Sequence, residues 1–506
     1  MKKIDRRNFL KSSALVGGGV ALSAHSWGQV TGANGDVRVA VLGLNGRGKN
    51  HVASLSAIKG VRIVALCDPD SKVLDKAKTL DGIDAASVRT YRDLREVFAA
   101  PDIDAVTVAT PNHWHSLAGI WACQAGKAAY VEKPVSHTVW EGYQLAAAQK
   151  KYNRVVQAGM QIRSGEGLQE AVEWVRAGNL GKIIVSRGLC YKRRNSIGKT
   201  SGPQPIPASI DYNLWTGPAE LVPPHRNSKK NGPVHYEWHW FWNYGNGDVG
   251  NQGIHQMDVA RWFLGEPGLP RHSFSIGGRL GYADDGETPN TQVIVLDYAT
   301  APLIFEVRGL PAKPDNGSQT NTAGLSSADA ADANAATMDK YRGVSVGNVI
   351  ECEGGSVIIP NYFTATAHDR DGKVIKEFKG KDRHMQNFID AVRSGKQSDL
   401  YGPVAEGNVS SALCHLGNIS YQVGHTMTPD ELAERTQGNN ATAEATGRMV
   451  EHLKAHGVDF AKTPLTVGAA LTLNPEARQF TGEFSEAANP LLTRKYRGPF
   501  VVPELA

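Results

Sequence analysis

Cysteine is scarce in this chain of 506 residues, and its few copies are scattered. The five are Cys67, Cys123, Cys190, Cys352 and Cys414. Their odd number and wide separation argue against a disulfide framework, and no pair has a spacing typical of a metal site. Cys67 and Cys123 fall inside strand-like and helix-like runs, so we expect buried, unreactive thiols there.

Long apolar runs and concentrated charge are also missing. Beyond the N-terminus, no segment offers the roughly 18 consecutive apolar residues that a membrane-spanning helix needs. Lys and Arg number 55 against 50 Asp and Glu, and the net charge of +5 is not gathered into a basic run. Nucleic acid is therefore not an expected partner. With 41% hydrophobic residues, the chain has the composition of a globular protein.

The N-terminus carries the features of an export signal. The stretch "DRRNFLKSS", residues 5–13, places two arginines ahead of a short apolar segment with small residues. This order resembles a twin-arginine signal peptide, which a receptor reads and which is no part of the fold. We therefore predict a signal peptide over residues 1–33, the twin-arginine export machinery as a partner, and a periplasmic or otherwise exported protein. A chance basic N-terminus on a cytoplasmic protein is the alternative.

After the signal, short β-branched runs alternate with segments of helical period. The runs are "VRVAVLG", "VRIVALCD", "DAVTVATP", "KAAYVEKP" and "RVVQAG". Strands that alternate with helices form parallel sheets with right-handed crossovers. We therefore predict an α/β Rossmann domain with a doubly wound parallel sheet over residues 36–160.

The pattern changes after residue 160. Longer strand-like runs such as "TQVIVLDYATAPLIFEVRG" are separated by proline-rich and aromatic loops. This pattern favours a C-terminal α+β domain on an open, mostly antiparallel sheet. We assign residues 161–440 to this substrate and oligomerisation domain, and residues 441–506 to a C-terminal helix and an extended arm.

A glycine-rich turn follows the first strand. The motif "GLNGRG" supplies the candidate cofactor residues Gly43, Asn45, Gly46, Arg47 and Gly48. Such a turn lets the backbone approach a pyrophosphate at the positive end of a helix. Asn45 stands where a second glycine is usual, so an ordinary strand-to-helix turn is the alternative.

Asp68 supports a dinucleotide at this turn. It ends the second strand, twenty residues beyond Gly48. A carboxylate there accepts hydrogen bonds from a ribose hydroxyl and repels a 2′-phosphate, so we predict NAD as the cofactor. A turn residue before Pro69 is the alternative role for this aspartate.

The stretches "ATPNHWHS" and "VEKPVS" follow the fourth and fifth strands. Because open parallel sheets bind ligands at the carboxyl ends of their strands, we expect both stretches at the cofactor. The residues concerned are Thr110, Asn112, His115, Glu132 and Lys133. The residue before a proline is extended, which lets Lys133 aim its ammonium at a substrate hydroxyl. A solvated Lys–Glu pair is the alternative.

The second domain supplies "GNGDVGNQGIHQMD". Asn251 precedes His255 by four residues, so on a helix the two would share a face and could point into one cleft. The glycines beside them indicate close approach to a ligand.

An aromatic cluster, "VHYEWHWFWNY", occupies residues 234–244. Trp238, His239 and Trp240 are candidate substrate contacts, since sugars stack on aromatic rings, and a buried domain edge is the alternative. His235 and His239 are spaced for a metal, but no third ligand stands beside them. We therefore predict no metal site.

These motifs, together with "CDPD", "GMQIRS" and "DYNLWTGPA", resemble the Gfo/Idh/MocA family of sugar-type oxidoreductases from Val37 to the C-terminal arm. In that family the lysine of the EKP motif and a later Asp-x-x-x-His pair form the catalytic group, which maps here onto Lys133, Asn251 and His255. Asn251 replaces the family's aspartate, which leaves open whether Lys133 or His255 is the general base. The resemblance also implies a homo-oligomer. The further site residues expected are Gln161 at the cofactor and Arg163 and Tyr191 at the substrate.

The resemblance implies an NAD-dependent oxidoreductase that acts on a secondary hydroxyl of a sugar or glycoside. Because no pool of free NAD is expected outside the inner membrane, we expect the cofactor to be held tightly and recycled within the cycle. The first alternative is an NAD-dependent glycosidase. It would oxidise a ring hydroxyl to a ketone, eliminate the glycoside, add water and reduce the ketone again, with Tyr191, Tyr236 or Tyr244 as an extra base. A non-catalytic sugar- or nucleotide-binding protein is the second, and Lys133 with His255 argues against it.

Overall fold

The computed structural model describes residues 35–228, 231–314 and 336–506. The predicted signal peptide lies outside this part of the chain. Within the described ranges, no helix is both long enough and apolar enough to cross a membrane.

The N-terminal domain is built on a six-stranded parallel sheet in the order β3-β2-β1-β4-β5-β6. Its strands are β1 (Val37–Leu42), β2 (Val61–Cys67), β3 (Arg89–Tyr91), β4 (Ala105–Val108), β5 (Ala128–Val131) and β6 (Val156–Ala158). This sheet confirms the predicted Rossmann-like class. Strand β3 has no counterpart among the predicted runs, because its three half-buried residues, Arg-Thr-Tyr, give no apolar pattern.

Helices cover both faces of this sheet, which explains why every residue of β1 is buried. Ala40 and Leu42 enter one buried cluster, whereas Val39 and Val41 enter another on the opposite face. The helices are α1 (Arg47–Ser56), α2 (Ser71–Ala77), α3 (Leu94–Ala99), α4 (His115–Gln124) and α5 (Val139–Tyr152). Asp70, Asp93 and Thr138 begin α2, α3 and α5 by accepting backbone N–H bonds with their side chains.

The second sheet has twelve strands and is mostly antiparallel, as predicted. Its strands are β7 (Ile183–Tyr191), β8 (His272–Gly278), β9 (Thr291–Asp297), β10 (Leu303–Arg308), β11 (Val346–Cys352), β12 (Gly355–Ile359), β13 (Thr364–Asp369), β14 (Val374–Lys379), β15 (His425–Met427), β16 (Leu465–Val467), β17 (Leu471–Asn474) and β18 (Gln479–Thr481). Strands β7 and β10 pair in parallel. Strands β16 to β18 extend the sheet with residues that follow position 440.

The helices of this part are α6 (Glu166–Arg176), α7 (Tyr212–Thr216), α8 (Ile254–Leu264), α9 (His384–Ser394), α10 (Val404–Gln422), α11 (Pro429–Thr436), α12 (Asn440–Ala455) and α13 (Ser485–Ala488). Helix α8 packs on the inner face of the sheet, where the Ser186 hydroxyl donates to the backbone O of Ala260. Helices α11 and α12 cover the opposite face, with Leu432 and Met449 against Ile304 of β10. The chain therefore covers both faces of the central strands with its own helices.

The last residues return to the N-terminal domain. Phe500 is buried against Trp114 and Trp121, and Arg494 pairs with the fully buried Glu141 on α5. The segment predicted as an extended arm is thus packed against the first domain from about residue 489, because its aromatic and cationic side chains find buried partners there.

Candidate functional site

A cavity of about 310 Å³ opens at the carboxyl ends of β1, β2, β4 and β5. Both domains line it. Of the residues predicted at the site, it is lined by Gly43, Asn45, Gly46, Arg47, Asp68, Thr110, Asn112, His115, Glu132, Lys133, Trp238, His239 and Asn251. This position is where open parallel sheets bind ligands.

The glycine turn is shaped for a phosphate group. Gly43 has φ +83°, and a Cβ there would lie 2.6 Å from the backbone O of Ala109. Gly48 lies beneath the turn, where a Cβ would be 1.9 Å from the backbone O of Gly43, so it allows α1 to approach the strand. Helix α1 begins without a side-chain cap, which leaves its first N–H groups available to an anion.

Asp68 fixes the same turn from the end of β2. Its Oδ2 accepts the N–H of Leu44 at 2.8 Å and its Oδ1 accepts that of Asp70 at 3.0 Å. A carboxylate offers about four acceptor positions, so it retains capacity for a ribose hydroxyl. Burial raises the pKa of Asp68 to about 6, although the backbone bonds oppose the shift.

His115 and Asn112 hold the turn after β4 in place. The two ring nitrogens of His115 lie 2.6 Å from the backbone O of Pro134 and 2.7 Å from that of Thr110, so the ring joins the ends of β4 and β5. The Asn112 amide donates to Asn246 Oδ1 at 3.0 Å, which connects this turn to the second domain.

Glu132 is the centre of a buried polar cluster behind Lys133. It accepts from Arg47 Nε at 2.8 Å and from Gln161 Nε2 at 3.2 Å, and His51 Nε2 lies 3.1 Å away. Burial favours the protonated acid, but the bond to His51 and the charge of Arg47 outweigh it and lower the pKa of Glu132 well below its usual value. Glu132 and Gln161 therefore position the turn and Lys133.

Lys133 is the reactive candidate in the cavity. Its Nζ donates to the backbone O of Asn251 at 2.5 Å. Burial lowers the pKa of Lys133 to about 8, with Arg47 and Lys192 adding to the shift and Glu132 opposing it. The lowered pKa brings the neutral amine, which can accept a proton, closer to physiological pH than in an ordinary lysine.

Asn251 and His255 are not on one face of an α-helix, as the four-residue spacing predicted, because the backbone at Asn251 is not α-helical. Residues Val249–Gly253 form a wide π-type turn that runs directly into α8. Asn251 lines the cavity, whereas His255 is buried behind it with its ring 5.1 Å from that of Tyr362. Burial and the Lys133 charge lower the pKa of His255 well below 6.5, and its Nδ1 has no hydrogen-bond partner among the described residues.

The aromatic segment forms the wall opposite the glycine turn. Trp238 and His239 line the cavity and stack on each other with ring centroids 3.7 Å apart. Trp240, expected at the substrate, is instead buried, and its Nε1 donates to Glu237 Oε2 at 2.9 Å. No group of three potential metal ligands comes together within the described ranges.

Two other predicted substrate residues lie away from the cavity. Arg163 donates to Asp258 at 2.8 and 2.9 Å in a buried pair. Tyr191 donates to the buried Glu306 at 2.6 Å, on the sheet face that α12 covers. Neither side chain lines the cavity, and each is bonded to a buried carboxylate instead.

The structure also reveals side-chain pairings that the motifs did not indicate. His235 lines the cavity, and its Nε2 lies 2.9 Å from Asp70 Oδ2. Arg194 pairs with the buried Asp248 at the entrance to the π-type turn. Each pair joins residues far apart in the chain, so no local spacing marks it. His51 lies one turn beyond Arg47 on α1, and that i, i+4 spacing was a usable signal.

A glycine turn, an acidic residue at the end of β2 and a buried lysine at the end of β5 have the arrangement of a Rossmann-type dinucleotide site. Residues 37–160 match the family model described as "Oxidoreductase family, NAD-binding Rossmann fold", and residues 169–276 match "Oxidoreductase family, C-terminal alpha/beta domain". Residues 37–160 and 169–276 therefore match the NAD-binding Rossmann domain and the C-terminal alpha/beta domain that these models describe, and NAD is the cofactor class.

Curated relatives match part of the chain. A "Glycosyl hydrolase family 109 protein" of Shewanella baltica is 30% identical over 209 residues, which span 36% of this chain and 45% of that protein. One from Solibacter usitatus is 32% identical over 196 residues, with the same coverage. The match therefore spans less than half the length of these relatives.

Solved structures share the fold. The WlbA dehydrogenase of Bordetella pertussis, in complex with NADH and UDP-GlcNAcA, has a TM-score of 0.52 at 18% identity and covers 76% of this chain and 95% of its own. An aldose-aldose oxidoreductase of Caulobacter crescentus, complexed with glycerol, has a TM-score of 0.52 at 17% identity and covers 76% and 98%.

Proposed function

We propose that this protein is an NAD-dependent oxidoreductase that acts on a secondary hydroxyl of a sugar or glycoside. The observation that supports this most directly is the position of Lys133, a buried amine with a pKa of about 8 in the same cavity as the glycine turn and Asp68. The names of the relatives, which are sugar oxidoreductases and glycosyl hydrolases, agree with a carbohydrate substrate.

The residues present fit a dinucleotide. The uncapped start of α1 can receive the pyrophosphate, and Asp68 can accept from a ribose hydroxyl. When bound, NAD supplies the hydride acceptor for the oxidised carbon. Lys133 in its neutral form takes the hydroxyl proton at Nζ, and the backbone O of Asn251 orients that amine. His255, neutral and buried behind it, is the alternative proton acceptor.

Contacts across the cleft support a tightly held cofactor. The N–H of Ser71 donates to the backbone O of Ser209 and that of Asp211 to the backbone O of Pro69, both at 3.0 Å. Together with the contact between His235 and Asp70, these bonds hold the second domain against the loop that follows Asp68. A covered cofactor that is recycled in each cycle also suits export through the twin-arginine route, which we retain as part of the proposal together with a periplasmic location.

A homo-oligomer also remains part of the proposal. Because α11 and α12 cover the outer face of β8 to β10, the partner subunit would have to contact another part of the molecule.

The test is to purify the protein from the periplasm and add no dinucleotide. Mass spectrometry of the denatured protein should release NAD, and a panel of glycosides and sugar pairs should be converted over many turnovers. Conversion that stops near one product per enzyme and resumes only with added NAD would contradict cofactor recycling.

The second candidate is a glycosidase that oxidises a ring hydroxyl, eliminates the glycoside, adds water and reduces the resulting ketone. The naming of the Shewanella and Solibacter relatives as glycosyl hydrolases favours it. Of the three tyrosines considered as the extra base, Tyr236 lines the cavity, whereas Tyr191 and Tyr244 are buried elsewhere. Release of the aglycone without net oxidation, lost in Tyr236→Phe, would establish this route.

A further inference from the structure

Two cationic side chains stand beside the π-type turn whose Asn251 lines the cavity and accepts from Lys133 Nζ. Lys192 and Arg194 follow strand β7, in which alternate residues point to one face. Both lie on the same face of the chain as Ser186, which contacts α8. The π-type turn that carries Asn251 runs directly into α8, so both side chains lie beside this turn.

The single carboxylate of this group is already neutralised. Asp248 accepts from Arg194 Nε at 2.7 Å and from Arg194 Nη2 at 2.6 Å, in a bidentate pair. The guanidinium also lies 5.1 Å from the ring of Trp240, behind the aromatic wall. Arg194 and Asp248 thus form a closed unit with no net charge.

Lys192 has only a neutral partner. Its Nζ donates to Gln252 Oε1 at 2.9 Å, and it makes no ion pair within 4 Å with any residue that the structure describes. Its side chain is partly exposed. Burial and the neighbouring Arg194 lower the pKa of Lys192, and Lys192 in turn contributes to the lowered pKa of Lys133. Gln252, the partner of Lys192, is the chain neighbour of Asn251, whose backbone O accepts from Lys133 Nζ, so the two lysines bond to adjacent residues of the π-type turn.

Removing a cation from water without a paired anion costs free energy. An anionic acceptor within hydrogen-bond distance of the ammonium offsets that cost. We propose that Lys192 binds an oxyanion of the substrate, a carboxylate, sulfate or phosphate, so that the substrate class is acidic sugars or acidic glycosides. This inference rests on the proposed function, because it concerns the substrate of the same site.

The test is binding, followed by the fluorescence of the tryptophans in the purified protein with its own cofactor. The probes are methyl β-D-glucoside and three anionic counterparts: methyl β-D-glucuronide, glucose 6-sulfate and glucose 6-phosphate. The variants are Lys192→Gln, which removes the charge, Lys192→Arg, which keeps it, and Lys373→Gln, a matched change at an exposed lysine of the β13–β14 hairpin.

We expect at least one anionic probe to bind about tenfold more tightly than the neutral glucoside, as a charge-assisted bond allows. Lys192→Gln should abolish this preference, whereas Lys192→Arg and Lys373→Gln should keep it, and added salt should weaken it. The probe that binds best identifies the oxyanion.

The proposal is overturned if the neutral glucoside binds as tightly as every anionic probe, or if Lys192→Gln keeps the preference. Failure of the proposed function would look different: the anionic preference would be present, but no bound sugar would reduce the dinucleotide.

Discussion

The two walls of the cavity are built in different ways. The wall of the N-terminal domain consists of turns at strand ends, and its buried carboxylate Glu132 pairs with Arg47 of the same domain. The wall of the second domain consists of the aromatic segment and the π-type turn, and contacts from distant segments hold it, such as Arg494 Nη1 on the backbone O of Asn243. A turn at a strand end takes its position from the sheet, whereas a loop needs separate contacts to fix it.

This difference predicts which changes affect chemistry and which affect retention. Changes at the strand ends should alter turnover and cofactor choice with little effect on the rest of the molecule. Changes that loosen the second wall should release the cofactor faster.

The largest effect is expected from Lys133→Ala in the first wall. Turnover should fall by about 10²–10⁴-fold, because a positioned proton acceptor is lost, while the amount of bound NAD stays close to that of the wild type. In the wild type, activity should rise with pH through about 8, where the Lys133 amine loses its proton. Lys151→Ala, at an exposed lysine, is the control. If the variant keeps both its rate and the basic pH dependence, His255 is the base.

Arg494→Gln tests how the C-terminal segment links the two walls, since Arg494 contacts the aromatic segment and the N-terminal domain together. Arg494 Nε pairs with the buried Glu141 at 2.8 Å, and its Nη2 donates to the backbone O of His113 at 2.9 Å. Loss of these bonds should lower the free energy of unfolding by about 2 kcal/mol, measured by urea denaturation.

The same variant should release NAD severalfold faster, since the turn that carries His113 also lines the cavity. Lys495→Gln, at the exposed neighbouring position, should change neither quantity. A variant that is destabilised but releases NAD at the wild-type rate would show that this segment supports the fold alone.

Asp68 should set the choice between NAD and NADP, with an effect of about tenfold. Its carboxylate can accept from a 2′-hydroxyl but opposes a 2′-phosphate, so Asp68→Ser should narrow the difference between the two dissociation constants. Because the pKa of Asp68 is raised to about 6, the carboxylate is ionised above that pH. Discrimination against NADP in the wild type should therefore strengthen as pH rises through about 6. Titration of the apo-protein with both dinucleotides measures this, and equal affinities at pH 8 would contradict it.

The smallest effect is expected from His235→Ala. The ring contacts Asp70 across the cleft, so its loss should raise the NAD dissociation rate by about two- to fivefold, as one hydrogen bond is worth about 1 kcal/mol. His225→Ala, an exposed histidine in the preceding loop, provides the comparison. An unchanged rate would mean that the contact across the cleft does not retain the cofactor.

The sequence by itself determined the Rossmann sheet and the first wall. Its five recognised strands are short, mainly apolar runs typical of parallel strands covered on both faces, and Gly43 and Gly48 occupy positions where any Cβ would meet backbone. These features are local, because a turn between a strand and its helix is made of residues that are adjacent in the chain. Strand β3 escaped prediction because three half-buried residues carry no periodic signal.

Only the tertiary structure decided which polar side chains reach the cavity. Arg163, Tyr191 and Trp240 have the chemistry of substrate contacts, yet each is taken by a buried carboxylate, at Asp258, Glu306 and Glu237 respectively. A guanidinium or hydroxyl looks the same in the sequence whether it meets a ligand or a carboxylate. The first two of these partners lie about a hundred residues away along the chain, and only the packing of β7, β10 and α8 brings them within hydrogen-bond distance.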